Sequence, residues 1–298
     1  MRIGIDLGGT KIEGIVLDSH GAVLARERTP TPQGDYQGTI ETVAALVERL
    51  DADHGIGTSA PVGVGIPGAV SPLTGLIKNA NSTCLIGRAL DKDLAARLGR
   101  PVRLENDANC LIVSETTDGA AAGAAVAFGV ILGTGVGGGI AINRRPYRGP
   151  NAIAGEWGHN PLLRPDDDER PGPACYCGKS GCIETYLSGP GFSRDAGDAF
   201  HDAQSVMNAV AAGDQSAIAA FERYTDRLAR SLAVVINILD PEVIVLAGGL
   251  SNIDRLYKDV PEQWQKHIFS DRADTPLRKA VHGDSSGVRG AAWLWPDD

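Results

Sequence analysis

The chain of 298 residues, 43% hydrophobic and 22% charged, is long enough to bury most of its apolar surface in about two domains. A formal net charge of -9 argues against a nucleic-acid partner, which requires clustered Lys and Arg that the sequence does not show. The longest apolar runs, at 124–132 and 243–247, stop well short of the roughly 20 residues that cross a bilayer. With no apolar signal region ahead of a first strand at Arg2, a cytoplasmic protein without a membrane partner is expected.

Residues 2–17 read as strand, Gly8-Gly9 turn, strand, β-branched and alternating on both sides of the break. Such a turn, flanked by Thr10 and Lys11, can offer N–H groups, a hydroxyl and an ammonium to phosphate oxygens, and Asp6 at its mouth can hold magnesium through water. Equally, many hairpins carry Gly-Gly for the turn alone. A third strand near 22–29 leads to an amphipathic helix over 37–50, with Ile40, Val43, Ala44, Leu46 and Val47 on one face. Residues 62–66 form a short buried strand that Pro67-Gly68 breaks, opening the backbone at a strand end where α/β folds place their sites. The polar loop Asn79-Ala80-Asn81-Ser82-Thr83 can hydrogen-bond a sugar or simply turn the chain.

A further buried strand, 101–104, runs into Glu105-Asn106-Asp107-Ala108-Asn109 and a helix through Cys110, Leu111, Ile112 and Val113. Asp107 at this handover reads either as the N-cap or as a carboxylate that the helix end favours in its ionised form, suited to accept a proton or a metal. The small residues 120–123 suggest a crossing between domains. Next come a strand at 125–132, a glycine turn at 133–139 and a strand at 140–143. Residues 133–138 match Gly-x-Gly-x-x-Gly, but the dinucleotide fingerprint needs a helix after its glycines, whereas Ile140-Ala141-Ile142 continues as strand. What remains is an internal repeat of the first hairpin, and two phosphate-cradling hairpins facing each other across a cleft make a nucleotide site.

Residues 156–184 concentrate the unusual chemistry. Cys175, Cys177 and Cys182, three of five cysteines, fall within eight residues, Gly178 and Gly181 allow the tight turns that aim the sulfurs at one point, and His159 can supply a fourth ligand. Four such donors make a closed, structural zinc site that also walls a substrate pocket. A disulfide would leave one of the three sulfurs over, and the Cys-x-Cys and Cys-x4-Cys spacings match the redox Cys-x-x-Cys motif poorly. Cys84 and Cys110 sit in apolar surroundings as inert core residues. A long helix over 214–239 buries Ile218, Phe221, Leu228, Leu232, Val235 and Ile236. After a strand at 242–246, the Gly248-Gly249 turn can accept an adenosine moiety or only turn the chain, and Ser251 caps a helix to about residue 268.

Asp6-Leu7-Gly8-Gly9-Thr10-Lys11, Asn106-Asp107-Ala108-Asn109, Gly133-Thr134-Gly135-Val136-Gly137-Gly138-Gly139, Glu156-Trp157-Gly158-His159 and Cys175-Tyr176-Cys177-Gly178-Lys179-Ser180-Gly181-Cys182-Ile183-Glu184 together resemble the ROK-family sugar kinases over essentially the full length. The resemblance implies an α/β, actin and hexokinase-like (ribonuclease H-like) duplicated fold, with two α/β domains around an ATP and sugar cleft. A small domain would span 1–118 and be closed by a C-terminal helix at 284–298, and a large domain at 119–283 would carry the zinc loop. It implies Asp107 as the catalytic base, Asn106, Glu156, His159 and Glu184 on sugar hydroxyls, zinc held by His159, Cys175, Cys177 and Cys182, and a homodimer. Gly68 and Asn81 complete the candidate sugar set. Asp6, Gly8, Gly9, Thr10, Lys11, Gly133, Thr134, Gly135, Gly137, Gly248 and Gly249 form the candidate set for ATP and Mg²⁺. In this picture His159 binds zinc with one ring nitrogen and donates the other N–H to a sugar oxygen.

Within the family, Lys78-Asn79-Ala80-Asn81-Ser82-Thr83 and the stretch 284–295 most resemble bacterial fructokinases that also accept mannose. The expected reaction is therefore ATP-dependent phosphorylation of D-fructose, with D-mannose as a second substrate, at the 6-hydroxyl. An N-acetylglucosamine kinase or glucokinase is the alternative within the family. A sugar-sensing transcriptional repressor is the distant one; such repressors resemble the kinases with an added amino-terminal helix-turn-helix, whereas a first strand is expected here at Arg2.

Overall fold

The computed structural model describes residues 1–57, 60–80 and 82–295. In chain order its main elements are β1 (Arg2–Leu7), β2 (Lys11–Leu17), β3 (Val23–Pro30), α1 (Tyr36–His54), β4 (Val62–Ile66), β5 (Ala69–Val70), β6 (Ile77–Lys78), α2 (Leu90–Leu98), β7 (Val102–Asn106) and α3 (Asp107–Asp118). There follow β8 (Val126–Leu132), β9 (Val136–Ile142), β10 (Arg145–Pro146), α4 (Ile183–Leu187), α5 (Gly189–Ala196), α6 (Ala203–Ala211), α7 (Gln215–Leu239), β11 (Val243–Ala247), α8 (Leu256–Trp264), β12 (Leu277–Lys279) and α9 (Ser286–Ala292). Among the described residues no helix is long and apolar enough to cross a membrane.

The two five-stranded sheets have the orders β3-β2-β1-β4-β7 and β10-β9-β8-β11-β12. In the first, β1 pairs antiparallel with β2 and parallel with β4; in the second, β8 has β9 as a neighbour on one side and pairs parallel with β11 on the other. The sequence repeat is thus a repeat of sheet topology. The chain divides into two compact units, one of Met1–Gly123, Gly139–Ala154 and Val281–Asp298, the other of Ala124–Gly138 and Gly155–Ala280. Residues 139–154, expected in the large domain, group with the first unit because the chain passes out of the second unit within β9.

In the first unit, strand alternation assigns each side of the sheet its own partner. Ile3, Ile5, Ile12 and Val16 pack with Val43, Leu46, Val47 and Leu50 of α1, each fully buried apolar side chain contributing about 1.5–3 kcal/mol. Asp35 caps α1 by accepting from Gly38 N, and Gly55, at φ +60°, ends it. On the opposite face Ile15 and Leu17 meet Val288 and Ala292 of α9. That helix lies so close to the sheet that a Cβ on Gly4 or Gly63 would strike its backbone. The buried Glu115 of α3 ties the helix's approach down: it accepts from Ala120 N (2.7 Å), Val281 N (3.1 Å) and Ser286 Oγ (2.8 Å).

In the second unit, α7, which Asp214 caps, packs against α4, α5, α6 and α8 and buries Phe221, Tyr224, Leu228, Leu232 and Ile236. Phe192 packs against Tyr224 with ring centroids 4.7 Å apart and planes tilted by 44°. Ile218 and Val235, expected inside, are only half-buried, and Arg227 and Arg230 are buried instead. Ser251 does not cap a helix: its hydroxyl donates to Gly248 O (2.7 Å) within a short 3₁₀ turn, and α8 begins later and ends at Trp264.

Candidate functional site

In the first unit the parallel strands β1, β4 and β7 deliver Asp6, Gly68 and Asn106-Asp107 at or just beyond their carboxyl ends. Asn106, not Asp107, is the N-cap of α3: its Oδ1 accepts from Ala108 N (2.9 Å) and Asn109 N (3.3 Å), while its Nδ2 donates to Gly68 O (3.3 Å). Asp107 is the first helical residue, its Oδ1 accepting from Ala108 N (2.8 Å) at the positive end of the helix. Glu105, which sequence reasoning gave no role, supports this corner from beneath. Buried, it accepts from Asn106 N (2.9 Å), Asn109 Nδ2 (3.0 Å) and Arg148 Nε (2.6 Å).

The Gly8-Gly9 turn closes with Gly8 N donating to Lys11 O (3.0 Å), and Thr31 fastens it by donating its hydroxyl to Gly8 O (2.8 Å) and its N–H to Thr10 O (3.0 Å). Gly9, Thr10 and Lys11 remain exposed. A cavity of about 250 Å³ beside the turn is lined by Gly9, Thr31, Gln33, Ser82 and Thr83. Asn81 lies outside the described residues. Burial pushes the Asp6 carboxyl up to about 7, with the negative charges of Asp107 and Glu13 adding to it and Lys11 opposing. A pair of carboxylates so placed suits a divalent cation, whose charge removes the repulsion.

In the second unit the repeated turn is shorter than expected. Gly133 N donates to Gly135 O (3.0 Å), and the chain is already in β9 at Val136. Gly137 and Gly138 are strand residues: the first accepts from Trp157 Nε1 (3.0 Å), and a Cβ on the second would come within 2.5 Å of the same indole. Close approach, not turning, accounts for the glycine at 138. Trp157 is buried edge-on to Phe128 at 5.8 Å, which leaves Glu156 exposed on one side of it and His159 half-buried on the other. Glu184 accepts from Val136 N (2.9 Å) and so joins the glycine turn to the cysteine loop. Gly248, at φ +84°, lies against the carbonyl of Leu132, which brings the Gly248-Gly249 turn beside Gly133.

His159, Cys175, Cys177 and Cys182 present ligand atoms that all lie within 4.8 Å of one another. Cys175 Sγ is 3.6 Å from His159 Nδ1, and Cys177 Sγ is 3.6 Å from Cys182 Sγ. A tetrahedron with Zn–S near 2.3 Å and Zn–N near 2.0 Å has edges of about 3.5–3.8 Å, so the donor set fits zinc in chemistry and the two 3.6 Å pairs match its edges. Gly178 and Gly181 adopt φ of +85° and +69°, as the turns require. Burial pushes the Cys182 thiol up to about 12, a cost that a thiolate-binding cation offsets. The loop is anchored by an ion cluster that sequence reasoning missed. Glu169 accepts from Arg227 Nε (2.7 Å) and Arg230 Nη2 (2.9 Å), while Arg230 also donates to Arg164 O (2.9 Å). The available signal was two arginines three apart on the apolar face of a helix.

The duplicated sheets are those of the actin and hexokinase-like fold. A ROK hexokinase from Thermus thermophilus shares it with a TM-score of 0.86 at 32% identity, over 98% of this chain and 97% of that one. A ROK family glucokinase from Streptomyces griseus, in complex with glucose and AMPPNP, does so with a TM-score of 0.80 at 26% identity, over 98% of each chain. The sequence model of the ROK family matches residues 2–298, and the chain belongs to that family. The N-acetyl-D-glucosamine kinase of Pasteurella multocida is 42% identical over 304 residues, covering 99% of both chains. Relatives from Erwinia tasmaniensis, Vibrio cholerae and Haemophilus influenzae at 39–40% identity carry the same name. This overturns the expectation of a fructokinase: resemblance confined to the loop at 78–83 and to residues 284–295 gives way to similarity along the whole chain.

Proposed function

We propose that this protein is an ATP-dependent N-acetyl-D-glucosamine kinase that phosphorylates the sugar's 6-hydroxyl. The observation that carries the reading is the 38–42% identity, over essentially the whole length, to kinases of that name. Phosphoryl transfer asks for alignment and charge neutralisation more than for covalent help, and the residues are of the types it needs. Asp107 accepts the proton of the attacking hydroxyl. Asn106, which caps the same helix, and Gly68, to which it is hydrogen-bonded, hold that corner of the sugar site rigid. Asn81, Glu156, His159 and Glu184 complete the sugar contacts.

The turns at Gly8-Gly9 with Thr10 and Lys11, at Gly133-Thr134-Gly135, and at Gly248-Gly249 take the nucleotide, and Asp6 orders the water shell of Mg²⁺. Gly137, held in β9 with its carbonyl bonded to the Trp157 indole, supports the second turn from behind. Zinc, bound by His159, Cys175, Cys177 and Cys182, supplies a structural brace to the loop. The protein acts as a homodimer in the cytoplasm.

A panel of N-acetylglucosamine, glucose, mannose and fructose in one ADP-coupled assay tests the reading. The amino sugar is expected to give the highest kcat/KM. A higher value for any of the other three would overturn it.

A further inference from the structure

Tyr176 stands between two of the metal-donor cysteines, in Cys175-Tyr176-Cys177, so the turn that gathers the sulfurs also fixes where its ring points. The ring meets His159 edge-on, with centroids 5.2 Å apart and planes at 88°. The imidazole divides its nitrogens between two neighbours: Nδ1 lies 3.6 Å from Cys175 Sγ, within the donor cluster, and Nε2 lies 3.0 Å from the Tyr176 hydroxyl oxygen. Among the described residues these are the hydrogen-bonding partners of the ring. A nitrogen that binds a metal offers its lone pair, so a neutral imidazole ligated through Nδ1 carries its proton on Nε2 and needs an acceptor there. Tyr176 is otherwise 75% exposed, which gives its ring little reason from burial to hold this position.

We propose that Tyr176 is a positioning residue of the zinc centre. Its hydroxyl accepts the Nε2–H of His159, selects the tautomer whose Nδ1 faces the three sulfurs, and thereby retains the fourth ligand on the ion. Resting on the zinc assignment above, the inference deepens it. The middle residue of the Cys-x-Cys pair becomes part of the metal site although it donates no ligand atom. In the sugar-free protein, the Nε2–H that reaches a sugar oxygen in the proposed function is held by a side chain of this loop.

The test compares zinc-loaded wild type, Tyr176→Phe and Tyr176→Ala, with circular dichroism confirming the fold of each. Zinc release to a chromophoric chelator is one readout, and the ¹⁵N spectrum of labelled His159, which reports which ring nitrogen bears the proton and how fast it exchanges, is the other. Tyr176→Phe keeps the ring and loses only the acceptor. It is expected to bind zinc about 10–100-fold more weakly, close to Tyr176→Ala, and to lose the slowly exchanging Nε2–H signal. A Phe variant that matches wild type in both readouts while the Ala variant does not would show that the ring acts by packing alone, and would overturn the proposal without touching the zinc assignment. Absence of zinc from purified wild-type protein would overturn both.

Discussion

Asp6 carries a charge at a cost to the fold, and replacing it with asparagine should make the metal-free protein more stable. The carboxylate sits at the end of β1 against Gly65 and Gly287, where burial, Asp107 and Glu13 push it from 3.8 up to about 7. A carboxyl whose folded value lies above its unfolded one binds its proton more tightly in the folded state, so the folded protein loses stability as pH rises from about 4 to 7 and recovers none above that. The full difference corresponds to about 4 kcal/mol. Water reaching the partly exposed carboxylate reduces this to roughly 1–3 kcal/mol. Asp6→Asn removes the charge and keeps the shape. In magnesium-free buffer at pH 8 the variant is expected to resist urea better than wild type by that amount, to match it near pH 3.5, and to have lost phosphotransfer. Tryptophan fluorescence during urea titration at both pH values measures the difference. An Asp6→Asn protein that is weaker at pH 8, or stronger by the same margin at both pH values, would refute the reasoning.

Glu169→Gln removes the carboxylate that Arg227 and Arg230 share, leaving each with one other carboxylate partner, Asp195 and Asp226 respectively, and should cost about 1–3 kcal/mol, seen as a lowered melting temperature. In the wild type, burial alone would raise Glu169, but hydrogen bonds from Arg230 and Arg227 outweigh it and hold the group at about 2, so its contribution is present above 4.5 and fades as pH falls toward 2. A variant with an unchanged melting curve at pH 7 would remove the cluster as an anchor. Asp107→Asn should lower kcat by several orders of magnitude while circular dichroism stays unchanged, and retained turnover would exclude Asp107 as the base. Stripping zinc with a chelator should lower the melting temperature by at least about 5 °C, with recovery on adding zinc but not magnesium; a melt indifferent to the chelator would sink the structural role.

Much of the architecture could be read from the chain because local signals there agree with the fold. Residues 2–17 alternate and break at Gly8-Gly9, and the structure forms β1 and β2 on either side of that break. The handover at Asn106-Asp107 and the clustering of His159 with three cysteines were likewise visible, since each depends on residue type at short spacing. What escaped depends on distant neighbours. Treating 133–139 as one turn follows from glycine's turn preference, yet Gly138 and Gly139 sit in β9 because Trp157 and Ala108 crowd them. Arg227 and Arg230 look like solvated residues until Glu169, about 60 positions away in sequence, is placed beside them. Helices α4, α5 and α6 are short, and glycine, proline and aspartate at their starts read as loop. The sugar was misread for another reason: hexoses share most hydroxyls, and the shape that discriminates among them comes from side chains brought together only by folding.

The seating of α9 on the first sheet also bears on the order in which the protein is made. Every residue of the second unit is synthesised before this helix, yet the glycines at 4 and 63, among the earliest residues, wait for it. While translation proceeds, Ile15 and Leu17 face a vacant groove, and the second unit can complete its own core first. The amino-terminal half is thus the later of the two to mature, and a ribosome stalled before residue 286 would hold a chain whose opening strands, covered by α1 on one face, remain bare and adhesive on the other.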